Sequence, residues 1–153
     1  MAATKIFPIH TTLGESLDYI ANSEKTDNGR LVYAFGCSEK PSRAAKDFAE
    51  IRSRRSTVLA QHFIVSFKPG EITPERALEV GKEICQKFLD DQYQFLLTVH
   101  VDKQHTHLHC VFNNTNLLNG HTFQTLNNQG KVSERMWLSL IHISEPTRHS
   151  LIS

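Results

Sequence analysis

The sequence predicts an α+β domain, a mainly antiparallel central sheet with its helices packed on one face. Two observations lead there. Runs with two-residue apolar alternation are separated by runs with three-to-four-residue apolar spacing, and the last two strand-like runs form an apparent hairpin. A chain of 153 residues is long enough for one domain with a real hydrophobic core, and 39% apolar with 22% charged residues is ordinary globular composition.

Taken in order, Lys5 to His10 alternates and reads as a short strand. Thr12 and Glu15 have capping-box spacing, which predicts a helix over about 13–22 with Leu13, Leu17 and Ile20 on one stripe. Asp27-Asn28-Gly29 marks a turn, and Leu31 to Cys37 a strand. Pro41 to Arg55 is expected to be helical, burying Ala44, Phe48 and Ile51. Ala60 to Phe67 alternates again and ends at Lys68-Pro69-Gly70-Glu71, a turn. Thr73 as cap and Pro74 in the first turn open a helix to about Leu89, with Ala77, Val80, Ile84 and Phe88 inward. Tyr93 to Val101 and His105 to Asn113 are the last two strands.

The final sixteen residues, LSLIHISEPTRHSLIS, resemble the in-frame translation of a transposase-type sequencing-library adapter. Residues 138–153 are therefore expected to be a non-native read-through tail behind a C-terminally truncated domain of residues 1–137.

Composition narrows the function classes. No apolar run approaches the roughly 20 residues of a membrane span, and MAATKIFPIH lacks a signal-peptide layout. Three cysteines at scattered spacings, Cys37, Cys85 and Cys110, suit a reducing cytoplasm. A net charge of +1 makes no case for a nucleic-acid partner, although Arg52, Arg54 and Arg55 form a local cluster that can meet phosphates.

The densest chemistry lies in HVDKQHTHLH, residues 100–109, which holds four of the nine histidines. On a strand His105, His107, His109, Val111 and Asn113 share one face, and Thr106, Leu108, Cys110 and Phe112 share the other. The second set is apolar and belongs under helices. The first needs another explanation. One metal cannot take all three alternating histidines, because i and i+4 stand roughly 13 Å apart on a strand while His–metal bonds are about 2 Å. Two strand neighbours plus His100, returned beside them by a reversal at Asp102-Lys103-Gln104, make a three-imidazole cradle. Spacing alone leaves the pairs His105/His107 and His107/His109 both open.

The run His100-x-Asp102-x-x-His105-x-His107-x-His109-x-x-x-Asn113 resembles the signature of the relaxases, mobilisation nucleases of conjugative and mobilisable elements within the HUH endonuclease superfamily. Leu17-Asp18-Tyr19-Ile20 with Glu24-Lys25-Thr26 is similar to the family's tyrosine motif, and Gln61 to Glu71 to its central strand and turn. The resemblance implies His107, His109 and His100 as metal ligands and Asp102 and His105 as close supports. It also implies Asn113 as an aid to positioning the strand or the scissile phosphate. Tyr19 becomes the nucleophile that attacks a DNA phosphodiester and stays joined to the 5′ phosphate. Mg²⁺ or Mn²⁺ is the expected ion, with Zn²⁺ or Ni²⁺ compatible with nitrogen ligands. Single-stranded DNA at an origin of transfer, with accessory relaxosome and coupling proteins, is the expected partner set, and no membrane.

Of the three tyrosines, Tyr33 lies in an apolar run and Tyr93 at a strand boundary, whereas Tyr19 stands off the Leu13/Leu17/Ile20 stripe on the side of Glu15. His62 is a candidate support for a ligand histidine, and Lys68 and Lys103 join the three arginines as candidate phosphate contacts. Two other readings fit the same residues. One is a fragment that binds origin DNA without cutting. The other is a three-histidine metallohydrolase acting through metal-bound water, with no need of a tyrosine.

Overall fold

Five strand-like runs and three with helical spacing become, in the computed structural model, a five-stranded sheet and three helices; residues 3–101 and 104–123 are described. The elements are β1 (Ala3–Ile9), α1 (Leu13–Ile20), β2 (Val32–Phe35), α2 (Pro41–Glu50), β3 (Ala60–Phe67), α3 (Pro74–Leu89), β4 (Phe95–His100) and β5 (Thr106–Asn113). The sheet order is β1-β3-β5-β4-β2 and every neighbouring pair is antiparallel. β5, which carries the alternating histidines, is the central strand. The α+β antiparallel fold is the one the sequence predicts.

The placement of the helices is corrected: they cover both faces, not one. α3 packs on the face made by Phe63, Val65 and Phe67 of β3, Leu97 and Val99 of β4, and Leu108, Cys110 and Phe112 of β5. Gly81 lets it approach closely, since a Cβ there would lie 2.7 Å from Leu108 Cδ1. On the opposite face Ile9, Ala60, Leu96 and Val111 are also apolar, and Leu17 and Ile20 of α1 with Ala44 and Phe48 of α2 bury them. That face is polar only along part of its length. Its apolar end had to be covered, which is why α1 and α2 lie over it.

Two local expectations also change. Thr12 does precede α1, but its φ of −109° and ψ of 36° are not those of an extended cap and its hydroxyl makes no cap bond; Ser16 N–H donates to the Thr12 carbonyl instead. α2 stops at Glu50 rather than Arg55. Beyond Ile51 a continued helix would carry Arg52, Arg54 and Arg55 with no apolar partner to bury, and Ser53 N–H turns to Thr115 Oγ1 at 2.9 Å. At α3 the expectation holds, with Thr73 Oγ1 accepting from Arg76 N–H. Asp102, Lys103 and the whole proposed tail, residues 138–153, lie outside the described residues.

Candidate active site

The antiparallel register does what the spacing asked of it. His100 on β4 stands opposite His107 on β5, so the hairpin returns it beside the β5 histidines. β3 adds a fourth: His62 lies opposite Val111, on the same face as His109. His62, His100, His107 and His109 thus come from three adjacent strands, at the place where the α1/α2 face changes from apolar to polar. The ring centroids of His100 and His109 are 4.0 Å apart, those of His62 and His109 5.2 Å, and those of His107 and His109 6.2 Å. His62, His100 and His109 are buried, and His107 is half-buried.

Proton positions follow from the partners. His100 Nε2 lies 2.9 Å from the Ile20 carbonyl, which can only accept, so this nitrogen carries a proton. His62 Nε2 and His109 Nδ1 are 3.0 Å apart, and His109 Nε2 is buried with no hydrogen-bond partner. If His109 donates from Nδ1, its buried Nε2 is a lone pair aimed into the site. The other tautomer would bury an orphan N–H, at a cost of about 1–3 kcal/mol. The first arrangement is favoured. Burial, with the neighbouring His100 charge, pushes the His109 imidazole down to about 2 and the His62 imidazole down to about 4. Both rings are neutral at pH 7.

α1 lays Tyr19 across this cluster. Its ring is 5.4 Å from that of His100 and 5.9 Å from that of His109, edge-on to each, and the residue is 47% exposed. Leu17 and Ile20 are buried beneath, so Tyr19 projects off the apolar stripe as its helical position predicts. Between α1 and the sheet lies a cavity of about 340 Å³ lined by Phe7, Glu15, Tyr19, His62, Ile64 and His109 among others. An open space bounded by a phenol and imidazoles is the right kind of place for a phosphate ester.

Other candidates are placed elsewhere. His105 is exposed, with Nδ1 3.3 Å from the Phe67 carbonyl and its ring 6.3 Å from that of His107. Asn113 is buried at the far end of β5, about 13 Å beyond His109 on strand geometry. Its Nδ2 donates to Phe48 O and Gln94 Oε1, and its Oδ1 accepts from Thr115 N–H, so the amide ties β5 to α2 and the following turn. Arg52, Arg54 and Arg55 are exposed at that same far end. Lys68 is exposed at the hairpin end of β3. Sequence reasoning gave no individual weight to Phe7, whose ring is 4.8 Å from that of His62, or to Lys25, whose ammonium is 5.4 Å from the Tyr19 ring centroid. Lys25 was visible only inside the Glu24-Lys25-Thr26 resemblance.

Among the described residues no three His, Cys, Asp or Glu side chains already stand in coordination geometry. The donor chemistry nevertheless fits a divalent ion: neutral imidazoles from adjacent strands, one with an orphaned buried ring nitrogen.

The site thus joins paired histidines on the central strand of an antiparallel sheet to a helix-borne phenol above them. A family model described as relaxase, MobA/VirD2-like, nuclease domain, matches residues 19–141, beginning at Tyr19. The chain belongs to that family. It is 39% identical over 132 residues to the group II intron-interrupted relaxase LtrB of Lactococcus lactis subsp. cremoris, covering 69% of this chain and 23% of that protein. It is 36% identical over 80 residues to protein rlx of Staphylococcus aureus, covering 52% of this chain and 25% of the relative. The chain therefore spans about a quarter of the length of these curated relatives.

Proposed function

We propose that this chain carries the nicking and joining site of a DNA relaxase, with Tyr19 as nucleophile. The observation that carries the reading is the Tyr19 ring lying 5.4 and 5.9 Å from two buried histidine rings, beside an open cavity. The phenolic oxygen forms a bond to the phosphorus of one strand and the P–O3′ bond breaks. The phenol gives up one proton and the leaving 3′ oxygen takes one up. The protein stays joined to the 5′ phosphate. One phosphodiester is exchanged for another, so the break can be resealed without ATP.

His100, His107 and His109 are the residues that would hold a divalent metal, Mg²⁺ or Mn²⁺ on family grounds, with Zn²⁺ or Ni²⁺ compatible with the nitrogen donors. Such an ion supplies Lewis-acid stabilisation of charge at phosphorus. His62 holds the His109 ring so that Nε2 faces the site, and the Ile20 carbonyl does the same for His100 through its Nε2 proton. The proposed substrate is single-stranded DNA at an origin of transfer, cut to begin mobilisation, with accessory relaxosome and coupling proteins. Lys68 at the hairpin end and Arg52, Arg54 and Arg55 at the opposite end, together with Lys103, which lies outside the described residues, are proposed backbone contacts. Three free cysteines suit a cytoplasmic setting, and among the described residues no helix is long and apolar enough to cross a membrane.

The test is a 3′-labelled pool of random single-stranded DNA incubated with the chain and Mn²⁺, then run on a denaturing gel. A labelled band at the mass of protein plus DNA is expected, and Tyr19→Phe should remove it while changing DNA affinity by less than about threefold. Adducts surviving in Tyr19→Phe at wild-type yield would rule out the assignment. Salt-dependent binding with no adduct at all would leave a DNA-binding module.

A further inference from the structure

We propose that Lys25 is a further catalytic residue: its ammonium contacts the non-bridging oxygens of the scissile phosphate from the Tyr19 side and stabilises the charge that builds there. The inference rests on the nicking reading. Its basis is where the cation stands and how firmly its backbone is held.

Lys25 is half-buried, and its Nζ lies 5.4 Å from the centroid of the Tyr19 ring. A phosphorus atom in position for attack sits about 3–3.5 Å from the phenolic oxygen. A cation over the same ring, on a four-carbon stem, can reach that phosphate's oxygens without the chain moving. The segment is tied down at several points. Lys25 N–H donates to Asn22 O at 3.0 Å, and Val101 N–H donates to Lys25 O at 2.7 Å. Thr26 is fully buried, with its hydroxyl on Asn22 O at 2.9 Å. Leu31 N–H then reaches Thr26 O, and Val99 N–H reaches Leu31 O. Lys25 is thereby fixed to the end of β4 that carries His100.

The chemistry has a use for it. Among the described residues that line the cavity there is no lysine or arginine, and Glu15 is one of them. As the Tyr19 O–P bond forms and the P–O3′ bond breaks, charge gathers on the equatorial oxygens. Lys25 keeps all three of its protons throughout and acts only through its charge and hydrogen bonds. Lys5 is another cation, 6.0 Å from the Phe7 ring on the β1 side, and serves as a control.

The experiment uses the whole chain with Mn²⁺ and a 3′-labelled oligonucleotide selected from the random pool by adduct formation with wild type. Single-turnover adduct formation, affinity for the uncut oligonucleotide and melting temperature are measured for Lys25→Gln, Lys25→Arg and Lys5→Gln. The expected result for Lys25→Gln is a rate loss of about 10²-fold, with affinity changed less than about threefold. Lys25→Arg should recover at least about tenfold of that rate, and Lys5→Gln should stay within about threefold of wild type. The proposal is overturned by a Lys25→Gln rate within threefold of wild type, by an arginine variant as slow as the glutamine one, or by an equal loss in Lys5→Gln. A pool from which wild type selects nothing would end the nicking reading itself.

Discussion

Leu108, Cys110 and Phe112 alternate along β5 with His107, His109 and Val111, so one strand presents two chemically unlike surfaces. Toward α3 the side chains are fully buried in a single apolar cluster. Toward α1 the same strand begins apolar at Val111 and turns polar at His109, where a buried ring nitrogen is left without a partner. The first surface gains stability from burial. The second gives some of it up, because neutral buried imidazoles and an open cavity hold less of the molecule together than packed hydrocarbon would. The dry face holds the strand still so that the wet face can keep its geometry.

The comparison breaks most easily on the dry side. Phe112→Ala removes a fully buried ring that contacts Phe63, Phe88, Tyr93 and Phe123, and should cost about 3–5 kcal/mol in urea unfolding. A loss below about 1 kcal/mol would mean that face is not the stabilising one.

On the wet side the test is pH. His62 and His109 stay neutral in the folded chain because burial holds them down to about 4 and about 2, while the unfolded chain takes up protons near the ordinary value of 6.5. Stability is then fully present above about pH 6.5 and is lost as pH falls toward 4, by about 1.4 kcal/mol per unit for each histidine. Urea midpoints in EDTA between pH 7 and 5 measure this, and a flat profile would contradict it. His62→Leu sharpens the contrast. It should flatten that profile by roughly half and also weaken Mn²⁺ binding about 10–100-fold in calorimetry, since His109 loses the partner that orients it. Unchanged Mn²⁺ affinity would remove His62 from the site.

Two smaller effects belong to α3. Gly81→Ala forces a Cβ against Leu108 and Leu97 and should cost about 1–3 kcal/mol with the site intact. Thr73→Ala loses the hydroxyl that accepts from Arg76 N–H and should cost about 1 kcal/mol. A melting temperature raised by Gly81→Ala would show that the helix and sheet are not in close contact there.

Much of this was legible in the residues. Alternation located β3 and β5 nearly to the residue, helical spacing located α3, and the off-stripe position of Tyr19 marked it as exposed. What misled was reading one property along a whole segment. The polar histidines made their entire face look uncovered, and the run to Arg55 looked helical because its charged end is compatible with a helix. Neither His62 beside His109 nor Lys25 beside Tyr19 could be read from spacing, since 47 residues separate the first pair and the second depends on how a loop is pinned to β4.

The sequence by itself determined which side chains share a face, because backbone geometry repeats every two residues in a strand and every 3.6 in a helix. Only the tertiary structure decided which faces meet. Register and helix placement come from burying apolar surface across the whole molecule, and that is what set a phenol and two imidazoles around one cavity, with two more imidazoles and an ammonium beside them.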